Sequence, residues 1–415
     1  MRILILTQWF DPEPTFKGML FARKLAEAGH QVEVVTGFPN YPGGKLYRGF
    51  RQRWFPSEVI EGVRIVRCPL YLSHDSSALR RLLNYFSFAF SATLYGLFGA
   101  TKADILYVYH PPMTVGLAGA LIGLFRRIPF VYDVQDLWPD TLRATGMINN
   151  ARALSIVGTV CNWIYKRAAH VVVLSPGFRC LLGERGVPDA KMSIIYNWCD
   201  EQALQNPVVG SADLGFMDDR FNVVFAGNIG RAQALGGVLK AAQLVGERNN
   251  QVQFVFVGGG LEVTAMKALA QELALTNVRF VPQMPMSEVG AVLGRADALL
   301  VHLRKDPLFS ITIPSKTQAY MGVGKPIIMA VEGDAAGLVT RAQAGVIATP
   351  EDAESIAGAV LSLAGMPEAQ RIELGNNAKS FYSKELSLAS GVARFIAVFE
   401  AVLSGGSAGK RGQHG

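Results

Sequence analysis

The chain has 415 residues, of which 50 % are hydrophobic and 18 % charged, a composition that excludes a mainly disordered protein and allows two or three folded domains. With 43 glycines and 20 prolines spread without a repeat, collagen-like and low-complexity architectures are excluded as well. Forty Lys and Arg against 33 Asp and Glu give a formal charge of +7, which suits a nucleotide, a nucleic acid or a phospholipid surface without choosing among them.

The opening run Met1-Arg-Ile-Leu-Ile-Leu-Thr7 has one charge, too short an apolar core and no small-residue cleavage site for a secretory signal, so it reads as a buried first strand. Short apolar runs then alternate with amphipathic runs of helix length, the pattern of βαβ units. Strands are expected at Ile3–Leu6, Val32–Val35, Val63–Arg67, Ile105–Val108, Phe130–Tyr132, Val171–Leu174 and Ser193–Ile195. A polar stretch, Asn206-Pro-Val-Val-Gly-Ser-Ala-Asp213, reads as part of a linker. The pattern restarts at Val223–Phe225, Gln253–Val257, Val278–Phe280, Ala298–Val301, Ile327–Met329 and Gly345–Ile347. Two α/β domains of similar size follow, 1–200 and 215–385, and the small, polar tail 405–415 is expected to be disordered.

Charge is unevenly divided. Residues 1–170 hold 19 Lys and Arg against 11 Asp and Glu, a balance of +8, so the basic surface belongs to the first half. Within it, Leu82–Ala100 is a 19-residue stretch without a charge, flanked by Arg80, Arg81 and Lys102. It is just long enough to span a bilayer, but Asn84, Ser87, Ser91, Thr93 and two glycines interrupt it. A span, a wholly buried helix and a helix dipping into the interface remain open. The cysteines Cys68, Cys161, Cys180 and Cys199 form no CxxC pair, which points to a reduced compartment and away from zinc ribbons or a disulfide framework.

Several strand-end loops carry possible chemistry, because open α/β sheets bind ligands there. After the first strand, Lys17 and Gly18 open a helix and offer an amide and a cation to an anion; a loop merely punctuated by two prolines fits equally. In the second half Phe225-Ala-Gly-Asn-Ile-Gly-Arg231 looks like a phosphate cradle. The similar turn Val257-Gly-Gly-Gly260 matches neither GxGxxG nor a P-loop. In Ile311–Pro326, Pro314 fits the first helical turn, Ser315 the cap and Gly324 the helix end. Lys316 in that first turn opposes the helix dipole, which points to a bound anion. Phe130–Thr141 brings Asp133, Asp136 and Asp140 to one strand end; Asp136 is the preferred active carboxylate, and Asp140 reads as first-turn charge paired with Arg143. The six histidines are scattered and no Asp-x-Asp pair is available to hold Mg²⁺.

Taken in order, Gly29-His-Gln-Val-Glu-Val-Val-Thr36, Phe38-Pro-Asn-Tyr-Pro42, Asp136-Leu-Trp-Pro139, Tyr196-Asn-Trp198, Gly227-Asn-Ile-Gly230, Pro314-Ser-Lys316 and Gly324-Lys-Pro-Ile327 resemble the family 4 retaining glycosyltransferases of GT-B architecture. The likeness is to the bacterial branch that builds O-antigen, capsule or colanic-acid-type polysaccharides. This resemblance implies two Rossmann-like domains facing a central cleft, the first for the acceptor and the second for the donor, with a helix over 386–403 crossing back to the first. It implies transfer of a hexosyl or N-acetylhexosaminyl group from a nucleotide sugar, UDP-linked by expectation, to a polyprenyl-diphosphate-linked acceptor. No cofactor, no metal and no nucleic acid partner is expected, and the enzyme would work as a peripheral protein on the cytoplasmic membrane surface.

Carried over by position, Gly18 would approach the sugar diphosphate, Gly227, Asn228 and Arg231 would flank it, and Ser315 and Lys316 would grip it. Asp136 would lie beside the reacting sugar and Gln283 near the base. The sequence departs from its relatives at Asn228 and Gln233, where many have Arg and Lys, at Ile311 and Ala319, where a Glu-x7-Glu pair is usual, and at Gln135, often His. The missing glutamates keep an inactive nucleotide-sugar-binding or scaffold protein as the alternative. A nucleotide-sugar epimerase would need GxGxxG near residue 10, which is absent.

Overall fold

The computed structural model describes all residues except 74–76, 145, 206–213 and 412–415; the linker expected at 206–213 lies outside the described residues. Two compact α/β units form, residues 1–195 with 391–415 and residues 196–390.

The first unit runs β1 (Arg2–Thr7), α1 (Met19–Glu27), β2 (Gln31–Gly37), β3 (Ser57–Ile60), β4 (Val63–Cys68), α2 (Ala78–Phe98), β5 (Ile105–Tyr109), α3 (Met113–Arg126), β6 (Phe130–Val134), α4 (Asp140–Ala144), α5 (Ala151–Arg167), β7 (His170–Val173), α6 (Pro176–Glu184) and β8 (Met192–Ile194). Its strands lie in the order β3-β4-β2-β1-β5-β6-β7-β8, parallel except for the β3–β4 hairpin. Strands β5 and β6 are buried along their whole length, as strands covered on both faces must be.

The second unit runs α7 (Glu201–Gln205), β9 (Phe221–Ala226), α8 (Gly236–Arg248), β10 (Val252–Val257), α9 (Val263–Glu272), β11 (Val278–Val281), α10 (Met286–Gly294), β12 (Ala298–His302), α11 (Pro307–Ser310), α12 (Ser315–Val323), β13 (Ile327–Ala330), α13 (Asp334–Ala342), β14 (Gly345–Ile347), α14 (Ala353–Ala364) and α15 (Glu368–Phe381), before the last helix α16 (Leu388–Arg411). Its six strands are all parallel, ordered β11-β10-β9-β12-β13-β14. Phe225, Phe254 and Phe256 from the sheet pack with Leu239 of α8 and Val360 of α14 in one core.

All the strands read from the sequence are present, and β3 is added to them. Its four residues are exposed, so it has no apolar face to betray it. The turn Glu61-Gly62, with φ of 48° and 80°, folds it onto β4 as a tight hairpin.

In the first unit, α2, α3 and α5 carry the chain in one direction from β4 to β7. Right-handed crossovers therefore put all three on one face of the sheet, and α2 packs on α3 and α3 on α5. Helix α1 runs the other way and covers the opposite face. There α16 joins it: the Phe395 ring lies 5.3 Å from Phe21 and 5.2 Å from Tyr107. Helix α16 is described as far as Arg411, past the expected helix end at 403.

The charge-free stretch Leu82–Ala100 becomes most of α2. One side buries Tyr85, Phe88, Ala92 and Tyr95, and its polar groups are used internally: Asn84 donates to the Tyr71 carbonyl and accepts from Gln8, and Ser91 donates to the Pro69 carbonyl. The opposite side exposes Leu83, Phe86 and Phe90. The helix is thus neither wholly buried nor free to span. Among the described residues only the run Glu368–Gly405 is long and apolar enough to cross a membrane, and its Ala378, Phe395 and Phe399 are committed to protein cores.

Candidate functional site

In the second sheet the strand order reverses between β9 and β12, the switch point where α/β sheets open to ligands. The turn after β9 rests on the turn after β10. Gly227 donates its N–H to Val257 at 2.9 Å and Ile229 to Gly259 at 2.8 Å. A Cβ at Gly258 would run into the Gly227 carbonyl, and one at Gly260 into the Ile229 carbonyl. Gly258 and Gly260 also sit at φ of 144° and 147°, a region open to glycine alone without strain.

Helix α12 points its first turn at this seam. It starts at Ser315 with Pro314 as N-cap and no side-chain cap, so Pro314 stands one position earlier than expected and Ser315, exposed, is not the cap. Gly324 ends the helix at φ 80°, as such ends require. Lys316 reaches back to β9, its Nζ 3.3 Å from the centroid of the Phe225 ring. The ammonium is closed off from solvent and makes no hydrogen bond among the described residues. Burial pushes it down to about 7. A lone cation in a low-dielectric site is costly, and the ring face returns only part of the lost hydration.

The other expected residues of this unit are placed unequally. Gln283 overhangs the second turn, its Oε1 3.1 Å from where a Cβ of Gly259 would stand. Asn228 is exposed and donates to Gln233 Oε1 at 3.3 Å, which also accepts the Gly230 N–H at 3.1 Å. Gln233 is therefore spent on shaping its own loop. Arg231 is 87 % exposed and faces Glu262 at 3.5 Å, so it lies in solvent, where such a pair contributes little.

Two residues that the sequence did not single out hold the site together. The Tyr320 hydroxyl, one turn after Lys316, accepts the Ala226 N–H at 2.7 Å. His302, at the end of β12, donates from Nδ1 to the Gln233 carbonyl at 2.6 Å and accepts the Glu351 N–H on Nε2 at 2.9 Å. Only the i, i+4 spacing of Lys316 and Tyr320 was visible beforehand.

In the first unit, β6 ends at the three carboxylates. Asp133 is fully buried and accepts from Tyr107 at 2.6 Å and Gln135 at 2.7 Å. Lys17, also fully buried, is pushed down to about 8 by burial against the opposing pull of Asp133. Asp133, Tyr107 and Lys17 are thus occupied with the core. Asp140 pairs with Arg185, not with Arg143, because α6 brings that guanidinium across the short α4. Asp136 is left, its carboxyl pushed up to about 6 by burial, in the range useful for proton transfer near neutrality. Its N–H donates to His110 Nδ1 at 3.3 Å. Burial pushes His110 down to about 3, so the ring is neutral with its proton on Nε2.

Gly18 precedes α1, but the anion seat at that helix start is already filled. The Asp11 carboxylate accepts the Met19 N–H at 2.6 Å and crowds the place of a Gly18 Cβ. Glu13 fastens the same loop to the next one, accepting the N–H groups of Phe10, Asn40 and Tyr41, and Trp9 stacks on Tyr41 with ring centroids 4.4 Å apart. Among the described residues no three His, Cys, Asp or Glu side chains gather into a metal-binding group.

Comparison with known proteins gives the same picture along the whole chain. Residues 19–198 match the family described as glycosyl transferase 4-like domain, and residues 211–381 match glycosyl transferases group 1. WcaI of Escherichia coli K12, described as a colanic acid biosynthesis glycosyl transferase, is 26 % identical over 346 residues, 80 % of this chain and 84 % of its own. The glycosyltransferase WbjE of Pseudomonas aeruginosa is 26 % identical over 237 residues, 56 % of this chain and 58 % of its own. Among solved structures, Anabaena HepE in complex with UDP-glucose superposes with a TM-score of 0.67 at 15 % identity, covering 97 % of this chain and 100 % of that one. With a parallel sheet in each unit and a glycosyltransferase family on each half, the chain belongs to the family 4 glycosyltransferases of GT-B fold.

Proposed function

We propose that this glycosyltransferase moves a hexosyl or N-acetylhexosaminyl group from a UDP-linked donor to a polyprenyl-diphosphate-linked saccharide, with retention of configuration, during assembly of a cell-surface polysaccharide. The name of WcaI supports the polysaccharide, and the UDP-glucose bound by HepE supports the donor. A polyprenyl acceptor stays in the bilayer, so this reading puts the reaction on the inner face of the plasma membrane.

One observation carries the donor reading: the buried Lys316 ammonium, without a hydrogen-bond partner among the described residues, at a helix start and a glycine turn. A folded protein keeps such a charge where an anion completes it. The departing nucleoside diphosphate supplies that anion. Lys316, the free amides of the first turn of α12 and the Gly227 turn meet its growing negative charge, the task a metal ion performs elsewhere. Ser315 at the same helix start and Gln283 over the second turn contribute to donor binding. Asp136 acts on the reacting sugar. Arg231 is solvated and Gly18 is covered by Asp11, and this reading gives neither a contact with the donor.

Ile311 and Ala319, in place of the usual glutamates, favour one second reading, a nucleotide-sugar-binding protein without turnover. UDP release in the presence of UDP-sugars and extracted lipid-linked saccharides separates the two. Turnover dependent on the lipid fraction supports the transferase. Nucleotide-dependent stabilisation without any release supports the binding protein; a ligand at a hundred times its Kd adds about 2.7 kcal/mol.

A further inference from the structure

Among the described residues nothing covers the apolar outer side of α2. Leu79, Leu83, Phe86 and Phe90 fall at i, i+4, i+7 and i+11, one face of a helix, and all four are exposed, Phe90 by 64 %. Two more exposed rings stand at helix ends, Phe98 at the end of α2, 85 % exposed, and Phe125 at the end of α3, 69 % exposed. Arg126 fastens these two ends together, donating to the Gly96 and Thr101 carbonyls at 2.9 and 2.8 Å. From Leu79 to Phe90 the stripe is about 17 Å long at the helical rise of 1.5 Å per residue. An apolar surface of this extent on one face marks an interaction site.

The chemistry around the stripe selects the occupant. Helices α2, α3 and α5, packed side by side, contain no Asp or Glu but carry Arg80, Arg81, Arg126, Arg152, Lys166 and Arg167. A helix with aromatic and leucine side chains outward, in a group of three packed helices whose only charges are positive, matches a surface with an apolar interior and anionic headgroups. The inner side of α2 is held in the protein core by Tyr85, Phe88, Ala92 and Tyr95, so the helix lies along such a surface and does not cross it.

We propose that the outer side of α2, together with the ends of α2 and α3, docks this chain onto an anionic lipid bilayer. The inference deepens the reading of a lipid-linked acceptor, yet it stands on exposure and charge. Vesicles free of saccharide allow either to fail alone.

The test is co-sedimentation of the full chain with phosphatidylcholine vesicles, with and without phosphatidylglycerol. The wild-type chain is expected to sediment with the anionic vesicles and to come off as salt is raised to about 0.5 M, where charge attraction is screened. The Phe86→Ser, Phe90→Ser double variant is expected to partition at least tenfold less, with its melting temperature and UDP-induced stabilisation unchanged. The proposal is overturned if the wild type does not bind anionic vesicles, or if the double variant binds them as well as the wild type. It is equally overturned if the wild type is a dimer that the double variant converts to monomer with no change in vesicle binding, since the stripe would then be covered by a second copy.

Discussion

Lys316 and Tyr320 stand one turn apart on α12 and reach the same strand: the Tyr320 hydroxyl accepts the last N–H of β9 from Ala226, while the Lys316 ammonium lies over the ring of Phe225. The tyrosine fixes the distance at which the lysine faces the Gly227 turn. Binding and stability are opposed at this point, and the opposition is measurable.

Replacing Lys316 by Met keeps the volume and removes the uncompensated charge. Nucleotide affinity should fall by tenfold or more, since a charge-assisted phosphate contact is worth about 1.5–3 kcal/mol. The free variant should nevertheless melt higher than the wild type, because a buried charge exchanged for an apolar group gains stability on the order of 1 kcal/mol or more. Calorimetry and thermal melts check both signs; unchanged nucleotide affinity would remove Lys316 from the site.

Donor binding should depend on pH through the same group. In the free protein Lys316 titrates near 7, and a bound diphosphate favours its protonated form. Affinity for a UDP-sugar should therefore be flat below about pH 7 and weaken above it by up to tenfold per pH unit, with proton uptake on binding at pH 8. Titrations in buffers of different ionisation enthalpy detect the uptake. The Lys316→Met variant should show none.

Asp136→Asn should lower turnover about 10²-fold or more, the usual size of a proton-transfer contribution. Its effect on stability has a definite sign. The carboxyl is raised to about 6 in the folded chain from an unfolded value near 3.9, so ionisation destabilises the fold above pH 6 and has no effect below about pH 4. The asparagine variant should accordingly be the more stable at pH 7.5 and lose that advantage at pH 4. Near-wild-type turnover in this variant would exclude Asp136 from the reaction.

Tyr320→Phe leaves the buried Ala226 N–H without an acceptor. A cost of about 1–3 kcal/mol is expected, read from denaturant midpoints. Because the same change frees the distance between α12 and β9, KM for the donor should rise more than kcat falls.

How much of this was legible in the sequence differs between backbone and side chains. Buried strands such as Ile105–Tyr109 announce themselves by continuous apolar runs, whereas β3, with every residue exposed, had only its Glu61-Gly62 turn to offer. That Gly227 and Lys316 stand together is legible because a glycine turn after a strand and a cation in a helix's first turn are local signals. The partners of Asp140 and Gly18 were not, since Arg185 and Asp11 reach them through the fold and the sequence holds no record of that distance. Arg231 was given a phosphate role from its place in the loop, but adjacency in sequence does not decide whether a side chain turns to the pocket or to Glu262. Tyr320 and His302 escaped notice because their work is done on main-chain atoms of other segments.

The seam between the turns after β9 and β10 is main chain on both sides. It offers nothing to exchange one residue at a time, since a side chain at 258 would lift both loops together. Laboratory evolution of donor choice in this chain is therefore channelled to the side chains that overhang the seam. A library varied at Asn228 and Gln283 should keep most of its members folded, while one varied at Gly258 and Gly260 should collapse back to glycine.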